Sequence, residues 1–272
     1  MHNRIDNCFA RLRKEKRKGF IPYICAGDPN LKRTIDLGLA LEKAGADLLE
    51  LGLPFSDPLA DGIVNQLAAQ RALTAGTTIR GFFDCVREIR KKSQIPIVLY
   101  SYLNPIFQFS AERFHREAES VGVDGLLILD LPPEEDTPEL DCLKQSSFNG
   151  PIHIRLLAPT TPEDRIETIA KNAKGFLYYV SREGVTGARD SISKSLPEKI
   201  SELRKHSNLP IAVGFGISNA DQARQVAQHA DAVVVGSAIV DLIAKYGDTA
   251  QMVEKISGFS RKIAEAIKSL NR

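Results

Sequence analysis

Short apolar segments alternate with longer amphipathic segments along the whole sequence, and this alternation is what most limits the fold of the chain. The short segments have the length of strands and are largely apolar on both faces, as in a parallel sheet that helices cover. We count eight of them, at residues 20–26, 47–51, 95–100, 125–131, 152–157, 176–180, 211–215 and 232–236. Helical periodicity characterises the segments between them, and two of these begin at Thr161 and Ser218 with an acidic residue three positions later.

Eight strand–helix units in one chain predict a (β/α)8 barrel, the TIM barrel, of typical size. The 272 residues could also form two smaller domains, but no Pro- or Gly-rich linker divides them. A doubly wound open sheet is the alternative, and it normally has a GxGxxG turn after its first strand. The turn here is CAGDPN at residues 25–30. We therefore predict a single α/β domain over residues 1–272, a TIM barrel with an extra N-terminal helix.

Charge and hydropathy argue against nucleic-acid and membrane partners. The formal net charge is only +2. The basic segment 11–18 continues a stretch in which Ile5, Phe9 and Leu12 recur at helical spacing, so we interpret it as the solvated face of a helix. No apolar run approaches the ~18 residues that a membrane-spanning helix needs, and the first residues lack the apolar core of a secretory signal.

Cysteine and histidine spacing gives no support for a metal site. The four cysteines include no CxxC pair, and the five histidines form no HExxH motif. Scattered cysteines in a chain of this size are typical of the reducing cytosol rather than of a disulfide framework. We therefore expect a cytoplasmic protein without a metal ion.

The segment 49–62, LELGLPFSDPLADG, places two carboxylates where folding alone does not favour them. Glu50 interrupts an apolar strand and Asp61 lies in the loop after it, although an ionised carboxylate buried without a partner costs several kcal/mol. Active sites of TIM barrels lie at the C-terminal ends of the strands. Glu50 and Asp61 are therefore candidates for acid–base chemistry. The alternative is a structural ion pair, for which strand five offers Arg155.

Small residues follow each of the last three predicted strands, at 181–187, at 214–218 and at Gly236–Ser237, where a helix begins. Backbone N–H groups at such turns and at a helix N-terminus bind anions without any lysine. Barrel enzymes often bind phosphate after strands seven and eight. Glycines at loop ends also occur for purely conformational reasons, but three successive cases predict a phosphorylated substrate.

Long motifs along nearly the whole chain have a specific resemblance. They are FIPYICAGDP, ADLLELGLPFSDPLADG, GLLILDLPPEE, LLAPTTPEDRI, YVSREGVTGARD, and VGFGIS with VVVGSAIV. Together they resemble the tryptophan synthase alpha subunit family. The resemblance implies a reversible retro-aldol cleavage of indole-3-glycerol phosphate to indole and glyceraldehyde 3-phosphate, with no metal and no organic cofactor in this chain.

The resemblance also implies roles for individual residues. Glu50 would be the acid/base, Asp61 would accept the indole N–H, and Tyr178 would border the reacting carbons. Thr186 would position Asp61, within a mobile lid over 182–195. Substrate and phosphate binding would fall to Tyr23, Thr186, Gly187, Phe215, Gly216, Gly236 and Ser237, with Leu129 and Leu131 as further walls of an indole pocket.

A beta subunit that holds pyridoxal phosphate is the partner that the resemblance implies, in an alpha2beta2 heterotetramer. The residues expected to contact it are Pro54, Asp57, Pro58, Asn104 and Phe107. An alternative function is that of a catalytically weak chain that acts mainly as an allosteric activator of this partner.

Strand five departs from the family pattern. It reads IHIRLLAPTT from Ile152, where family members usually have apolar residues, and His153 and Arg155 share one face of it. If that face looks into the barrel, Arg155 comes within possible reach of Glu50 and lowers its pKa or locks it in an unproductive pair. If it looks toward the helices, Arg155 extends to the rim and has no effect on Glu50. Cys25 is a milder departure, at a position where the family often has Thr.

Overall fold

A computed structural model of the chain describes residues 3–132, 134–135, 150–180, 195–214 and 216–271. Within these ranges the protein contains nine strands in one parallel sheet, in the order β5-β4-β3-β2-β1-β9-β8-β7-β6. They are β1 (Gly19–Cys25), β2 (Leu49–Gly52), β3 (Ile97–Ser101), β4 (Gly125–Ile128), β5 (Ile152–His153), β6 (Arg155–Leu157), β7 (Leu177–Val180), β8 (Ile211–Gly214) and β9 (Ala232–Val235).

Helices lie between these strands along the described parts of the chain, and the order of elements is that of a TIM barrel. They are α1 (Arg4–Lys14), α2 (Leu31–Lys43), α3 (Ile63–Thr74), α4 (Ile79–Arg90), α5 (Leu103–Phe109), α6 (Ala111–Val121), α7 (Glu163–Lys171), α8 (Leu196–His206), α9 (Ala220–Ala227), α10 (Ser237–Tyr246) and α11 (Met252–Lys268), followed by a 3-10 turn at Ser269–Asn271. None of the described helices is both long and apolar enough to cross a lipid bilayer.

The predicted fifth strand is divided where the barrel closes. Its first part, β5, pairs with β4, and its second part, β6, pairs with β7. Ile154 joins the two parts, and its N–H donates to the carbonyl of Leu126 at 2.8 Å. The eight predicted strands are therefore confirmed, with the fifth contributing one segment to each side of the seam.

Two apolar layers result from the alternation of side chains along each strand. On β1, Ile21, Tyr23 and Cys25 belong to the cluster inside the barrel, whereas Phe20 and Ile24 belong to the cluster between the sheet and the helices. The interior cluster is the one that leads to the barrel mouth. Polar side chains on this face of a strand are therefore positioned for chemistry.

Helix α1 is the predicted N-terminal helix, and it packs against the N-terminal end of the barrel. Ile5, Phe9 and Leu12 are buried in the interior cluster, and the rings of Phe9 and Phe176 are 5.4 Å apart between centroids. A Cβ at Gly125 would lie 2.9 Å from Cδ1 of Ile5. The glycine therefore gives the helix room to approach the strands.

Two predicted helix starts are wrong by one or more residues. Thr161 does not cap a helix, and its hydroxyl oxygen instead accepts the N–H of Ala158 at 3.0 Å. A proline follows Thr161 and disfavours helical backbone at the preceding position. Ser218 lies one residue before the N-cap Asn219, whose side chain accepts the N–H of Gln222 at 2.9 Å.

Three aspartates anchor the N-terminal ends of the strands. Asp47, Asp124 and Asp231 precede β2, β4 and β9, and each accepts a backbone N–H near the start of a neighbouring strand, at 3.2, 2.8 and 2.9 Å respectively. Each of the three also pairs with at least one arginine. For Asp124 the partners are Arg90 at 2.7 Å and Arg4 at 2.9 Å. These carboxylates, buried for Asp47 and Asp124 and half-buried for Asp231, hold the N-terminal end of the barrel together.

Asp124→Ala should lower the free energy of unfolding by about 3 kcal/mol, because it leaves the buried Arg90 and one strand N–H without their acceptor. Chemical denaturation would measure this. Asp84→Ala is the matched control, since Asp84 is exposed and pairs with Arg87 at the surface, and its cost should stay below about 1 kcal/mol. Equal losses in the two variants would contradict the anchoring role of Asp124.

Candidate active site

Glu50 lies on the interior face of β2. Leu49 and Leu51 pack in the helix-side cluster and Leu48 in the interior cluster, so Glu50, which shares the face of Leu48, opens into the barrel. It is 2% exposed, and its Oε1 has no hydrogen-bond partner among the described residues. Tyr23 is its register partner on β1. The carboxylate that interrupts an apolar strand in the sequence is therefore buried inside the barrel in the structure.

Burial sets the protonation of Glu50. Removal from water, with a further contribution from the negative charge of Asp61, raises the pKa of Glu50 to about 8. At neutral pH the carboxyl group is therefore mainly protonated. A carboxyl group in this state can donate a proton and then take one back close to neutral pH.

Asp61 lies in the loop after β2, and three side chains bind its carboxylate. The hydroxyl of Tyr100 donates to Oδ1 at 2.7 Å, that of Tyr102 donates to Oδ2 at 2.8 Å, and the side chain of Asn65 donates to Oδ1 at 3.2 Å. Burial raises the pKa of Asp61, and these hydrogen bonds act in the opposite direction. The two acids of the site therefore have different surroundings: Oε1 of Glu50 has no partner, whereas Asp61 is surrounded by donors.

Backbone contacts hold the loop of Asp61 in place. The N–H of Asp61 donates to the carbonyl of Pro58 at 3.0 Å, and the side chain of Gln66 donates to the Asp61 carbonyl at 2.9 Å. The Tyr102 hydroxyl also accepts the N–H of Ala60 at 3.0 Å. The end of this loop is therefore fixed to both α3 and the end of β3.

Two tyrosines extend across the barrel mouth over glycines of neighbouring strands. A Cβ at Gly52 would lie 2.5 Å from the hydroxyl oxygen of Tyr23, and one at Gly214 would lie 2.5 Å from that of Tyr178. Both strands therefore end in glycine where a phenol needs the space. Burial, and then the charges of Glu50 and Asp61, raise the pKa of Tyr178 well above its ordinary range. The phenol is therefore neutral and can act as a hydrogen-bond donor.

The sequence and fold were compared with those of known proteins. The family model described as tryptophan synthase alpha chain matches residues 9–268. This chain belongs to the tryptophan synthase alpha chain family. A family member from Opitutus terrae is 50% identical over 242 residues, 89% of this chain and 90% of its own length. One from Geobacter sulfurreducens is 46% identical over 265 residues, 97% of this chain and 99% of its own.

Solved structures of the family have the same fold. Tryptophan synthase subunit alpha from Legionella pneumophila superposes with a TM-score of 0.87 at 36% identity, covering 99% of this chain and 100% of that one. A chain of the tryptophan synthase a2b2 complex from Pyrococcus furiosus superposes with a TM-score of 0.83 at 36% identity, covering 92% and 99%. The prediction of a TIM barrel is confirmed.

Part of the predicted phosphate site lies among the described residues. Gly236 follows β9 and is the N-cap of α10, and its Cα is close enough to β1 that a Cβ would contact the Tyr23 side chain at 3.4 Å. Ser237 is the first residue of α10, so the helix N-terminus opens beside the barrel mouth. Gly216 has a positive φ of 76°, which glycine adopts easily. Thr186, Gly187, Phe215 and most of the predicted lid, residues 182–194, lie outside the described residues.

Arg155 faces the helices. Its neighbours Ile154 and Leu156 pack with the interior cluster and Leu157 with the helix-side cluster, so Arg155 points away from Glu50. The side chain is buried rather than extended to the rim, and Nε and Nη1 have no hydrogen-bond partner among the described residues. Burial lowers the pKa of Arg155, and the charge of Glu134 opposes this. The predicted alternative of an ion pair between Arg155 and Glu50 is therefore wrong.

The remaining predicted residues are two candidate walls of the indole pocket and the candidate contacts with a partner. Leu129 packs on the interior cluster, but Leu131 belongs to the helix-side cluster, so we no longer count Leu131 among the pocket walls. The predicted partner-contact residues lie in the loop after β2 and on α5. Of these, Asp57, Asn104 and Phe107 are exposed, Pro58 is half-buried and Pro54 is buried.

The residues that hold Asp61 and helix α3 in place are not among those predicted from the sequence. Tyr100 and Tyr102 follow each other at the two-residue spacing that places side chains on one face of a strand, and this signal could have identified them. Asp28, 1% exposed, accepts both Nε and Nη2 of Arg71 at 2.8 Å, which fixes α3 to the loop after β1. No group of three or more His, Cys, Asp or Glu in the described part of the chain is arranged to hold a metal ion.

Glu50→Gln should make the folded protein more stable, and increasingly so as the pH rises. The pKa of the Glu50 carboxyl group is 4.5 in the unfolded chain and about 8 in the folded chain. Between these pH values the folded state therefore binds more protons than the unfolded state. The stability of the wild type consequently falls as the pH rises through this range. The gain in the variant's free energy of unfolding should grow by up to about 1.4 kcal/mol per pH unit across the window and then level off.

Denaturant titrations at several pH values would measure this gain. Glu112→Gln is the control, because Glu112 is exposed on α6 and pairs with Arg116 at the surface. Its effect on stability should be small at every pH. Parallel pH profiles for the two variants would show that burial does not shift the titration of Glu50.

Proposed function

We propose that this chain cleaves indole-3-glycerol phosphate reversibly to indole and glyceraldehyde 3-phosphate. The observation that supports this most directly is the pair of buried carboxylates at the barrel mouth with opposite surroundings. Glu50 has no hydrogen-bond partner on Oε1 among the described residues, whereas Asp61 receives three side-chain hydrogen bonds. Two acids whose surroundings differ in this way can take different roles in one reaction.

Glu50 is the proton-transfer group in this proposal. Cleavage requires a proton at C3 of the indole ring and removal of the proton from the hydroxyl on the adjacent glycerol carbon. The electrons of the broken carbon–carbon bond return to the ring, and the hydroxyl oxygen becomes the aldehyde oxygen. A carboxyl group with a pKa of about 8 can protonate C3 and then accept the hydroxyl proton as a carboxylate.

Asp61 is the electrostatic group. Protonation at C3 creates positive charge on the ring, centred on its nitrogen, and a fixed carboxylate that accepts the ring N–H stabilises this charge. Such a contact is stronger in the transition state than in the ground state, so it increases the rate rather than only the affinity. The hydroxyls of Tyr100 and Tyr102 keep Asp61 in place for this role.

The phosphate would bind where the last strands end. Gly236 and Ser237 supply the N-terminus of α10, and Gly216 supplies a backbone turn. Gly187 and Phe215 belong to the same proposed site, and Thr186 would position Asp61 from the lid. Tyr23 and Tyr178 would enclose the indole and the reacting carbons, and no organic cofactor or metal ion of this chain's own takes part.

A beta subunit with pyridoxal phosphate is the proposed partner and would receive the indole, in a cytoplasmic alpha2beta2 complex. The related Pyrococcus furiosus chain is part of an a2b2 complex. In this chain four apolar side chains in or close to the elements that carry the predicted contact residues, Leu59, Ile63, Leu67 and Phe107, are all more than 40% exposed. Exposed apolar patches of this kind usually mark protein interfaces.

The alternative, an inactive chain that only activates its partner, has lost its one supporting feature. It depended on Arg155 reaching Glu50, and Arg155 lies on the opposite face of its strand. Cleavage and activation can of course coexist in one complex. The lyase remains the proposal.

The decisive experiment measures cleavage of indole-3-glycerol phosphate by the purified chain with and without a beta subunit. Glu50→Gln should lose about 10²–10⁴-fold in rate, and Asp61→Asn about 10²-fold, while Glu112→Gln should behave as wild type. If the wild type cleaves nothing in either condition but accelerates the synthesis of tryptophan from serine and indole by the beta subunit, the lyase proposal is wrong and the activator is correct.

Leu59→Asp should weaken binding of the beta subunit by about tenfold or more, because it places a charge in an apolar contact. Leu59 is 87% exposed, so the stability of the chain should not change. Calorimetric titration would measure the affinity. Leu73→Asp is the matched control, an exposed leucine near the far end of α3, and binding equally weakened by both changes would argue against this surface.

A further inference from the structure

Tyr100 contacts one particular oxygen of the Asp61 carboxylate. Its hydroxyl donates to Oδ1 at 2.7 Å, and Asn65 donates to the same oxygen at 3.2 Å. Each carboxylate oxygen has two lone pairs that accept hydrogen bonds. Oδ1 therefore has no position left for a further donor.

Oδ2 differs from Oδ1 in this respect. It receives the hydroxyl of Tyr102 at 2.8 Å, the single described hydrogen bond to this oxygen. One acceptor position of Oδ2 therefore stays open, and it belongs to a carboxylate at the mouth of the barrel. An incoming N–H group would find one position on Asp61 rather than several.

The Tyr100 ring cannot easily rotate away. It is 6% exposed and packs edge-on against the ring of Tyr23, with centroids 5.1 Å apart and an interplanar angle of 64°. Strand β3 fixes its backbone next to Gly52 of β2. The hydroxyl is thus held at Oδ1 before any substrate binds.

We propose that Tyr100 is a positioning residue that occupies Oδ1 of Asp61, so that the indole N–H is directed to Oδ2. This proposal rests on the proposed function. The same hydroxyl favours the ionised form of Asp61, and only the carboxylate brings a negative charge to the positive ring.

The Tyr100 hydroxyl matters because no positively charged group of the described residues contributes to the pKa of Asp61. None of the groups that shift the pKa of Asp61 is a cation, and the opposing influence on burial comes from Tyr100, Tyr102 and Asn65. The titratable groups that interact with the Asp61 charge from the strands around it are Tyr23, Cys25, Glu50, Tyr100, Tyr102 and Tyr178. Two phenols and an amide, rather than an arginine, therefore oppose the rise that burial causes in the pKa of Asp61.

Tyr100→Phe tests the proposal, because it removes one oxygen and keeps the ring against Tyr23. The pKa of Asp61 should rise, so the acidic limb of the kcat/KM profile for indole-3-glycerol phosphate cleavage should move to higher pH. We expect a loss of about tenfold at the acidic end and a smaller loss at alkaline pH. Tyr246→Phe, a phenol outside the site on α10, is the control and should leave the profile unchanged.

A second measurement does not depend on activity. Titration of the Asp61 carboxyl carbon by ¹³C NMR, assigned with Asp61→Asn, should give a higher pKa in Tyr100→Phe than in wild type. A crystal structure with indole bound should place the ring nitrogen about 3 Å from Oδ2. An unchanged Asp61 titration, or the ring nitrogen on Oδ1, overturns the role of Tyr100. Absence of cleavage by wild type, with the titration shifted as expected, overturns the proposed reaction instead.

Discussion

Removal of the Glu50 carboxyl from water is the constraint on which the site depends. A carboxylate in the interior of a parallel barrel has no access to bulk solvent, and no cation lies among the groups that shift the pKa of Glu50. Protonation is therefore the most favourable way to neutralise this group, and burial raises its pKa to about 8. The glycines that end β2 and β8, the phenols packed over them and the loop of Asp61 lie at the same end of the barrel as this buried carboxyl group.

The same type of side chain serves opposite purposes at the two ends of the barrel. At the N-terminal ends of the strands, Asp47, Asp124 and Asp231 have arginine partners and accept hydrogen bonds from strand N–H groups. At the C-terminal ends, Glu50 and Asp61 have no arginine partner among the described residues. The carboxylates that hold the fold together are thus paired with arginine, whereas the two that can exchange protons or accept a ligand are not.

Much of the fold and two key residues could be predicted from the sequence, because both depend on local patterns. The alternation of apolar and amphipathic segments predicted the barrel. The position of Glu50 within an otherwise apolar strand marked it as a candidate for chemistry. The division of strand five at Ile154 could not be predicted, since it depends on which neighbour each half meets. The direction of Arg155 required the register, which pattern alone leaves uncertain by one residue. The two-residue spacing of Tyr100 and Tyr102 places them on one face, but the carboxylate they bind lies 39 and 41 residues away in sequence, so the spacing alone does not reveal their partner.

The exposure of Leu59, Ile63, Leu67 and Phe107 also has a consequence for the chain when nothing covers these side chains. Two free copies can bring these side chains together, since apolar surfaces in water attract without regard to identity. A partner that covers the same side chains competes with such contacts, because each apolar area is removed from water only once. Occupation of this surface by a partner therefore also opposes contacts between copies of the chain.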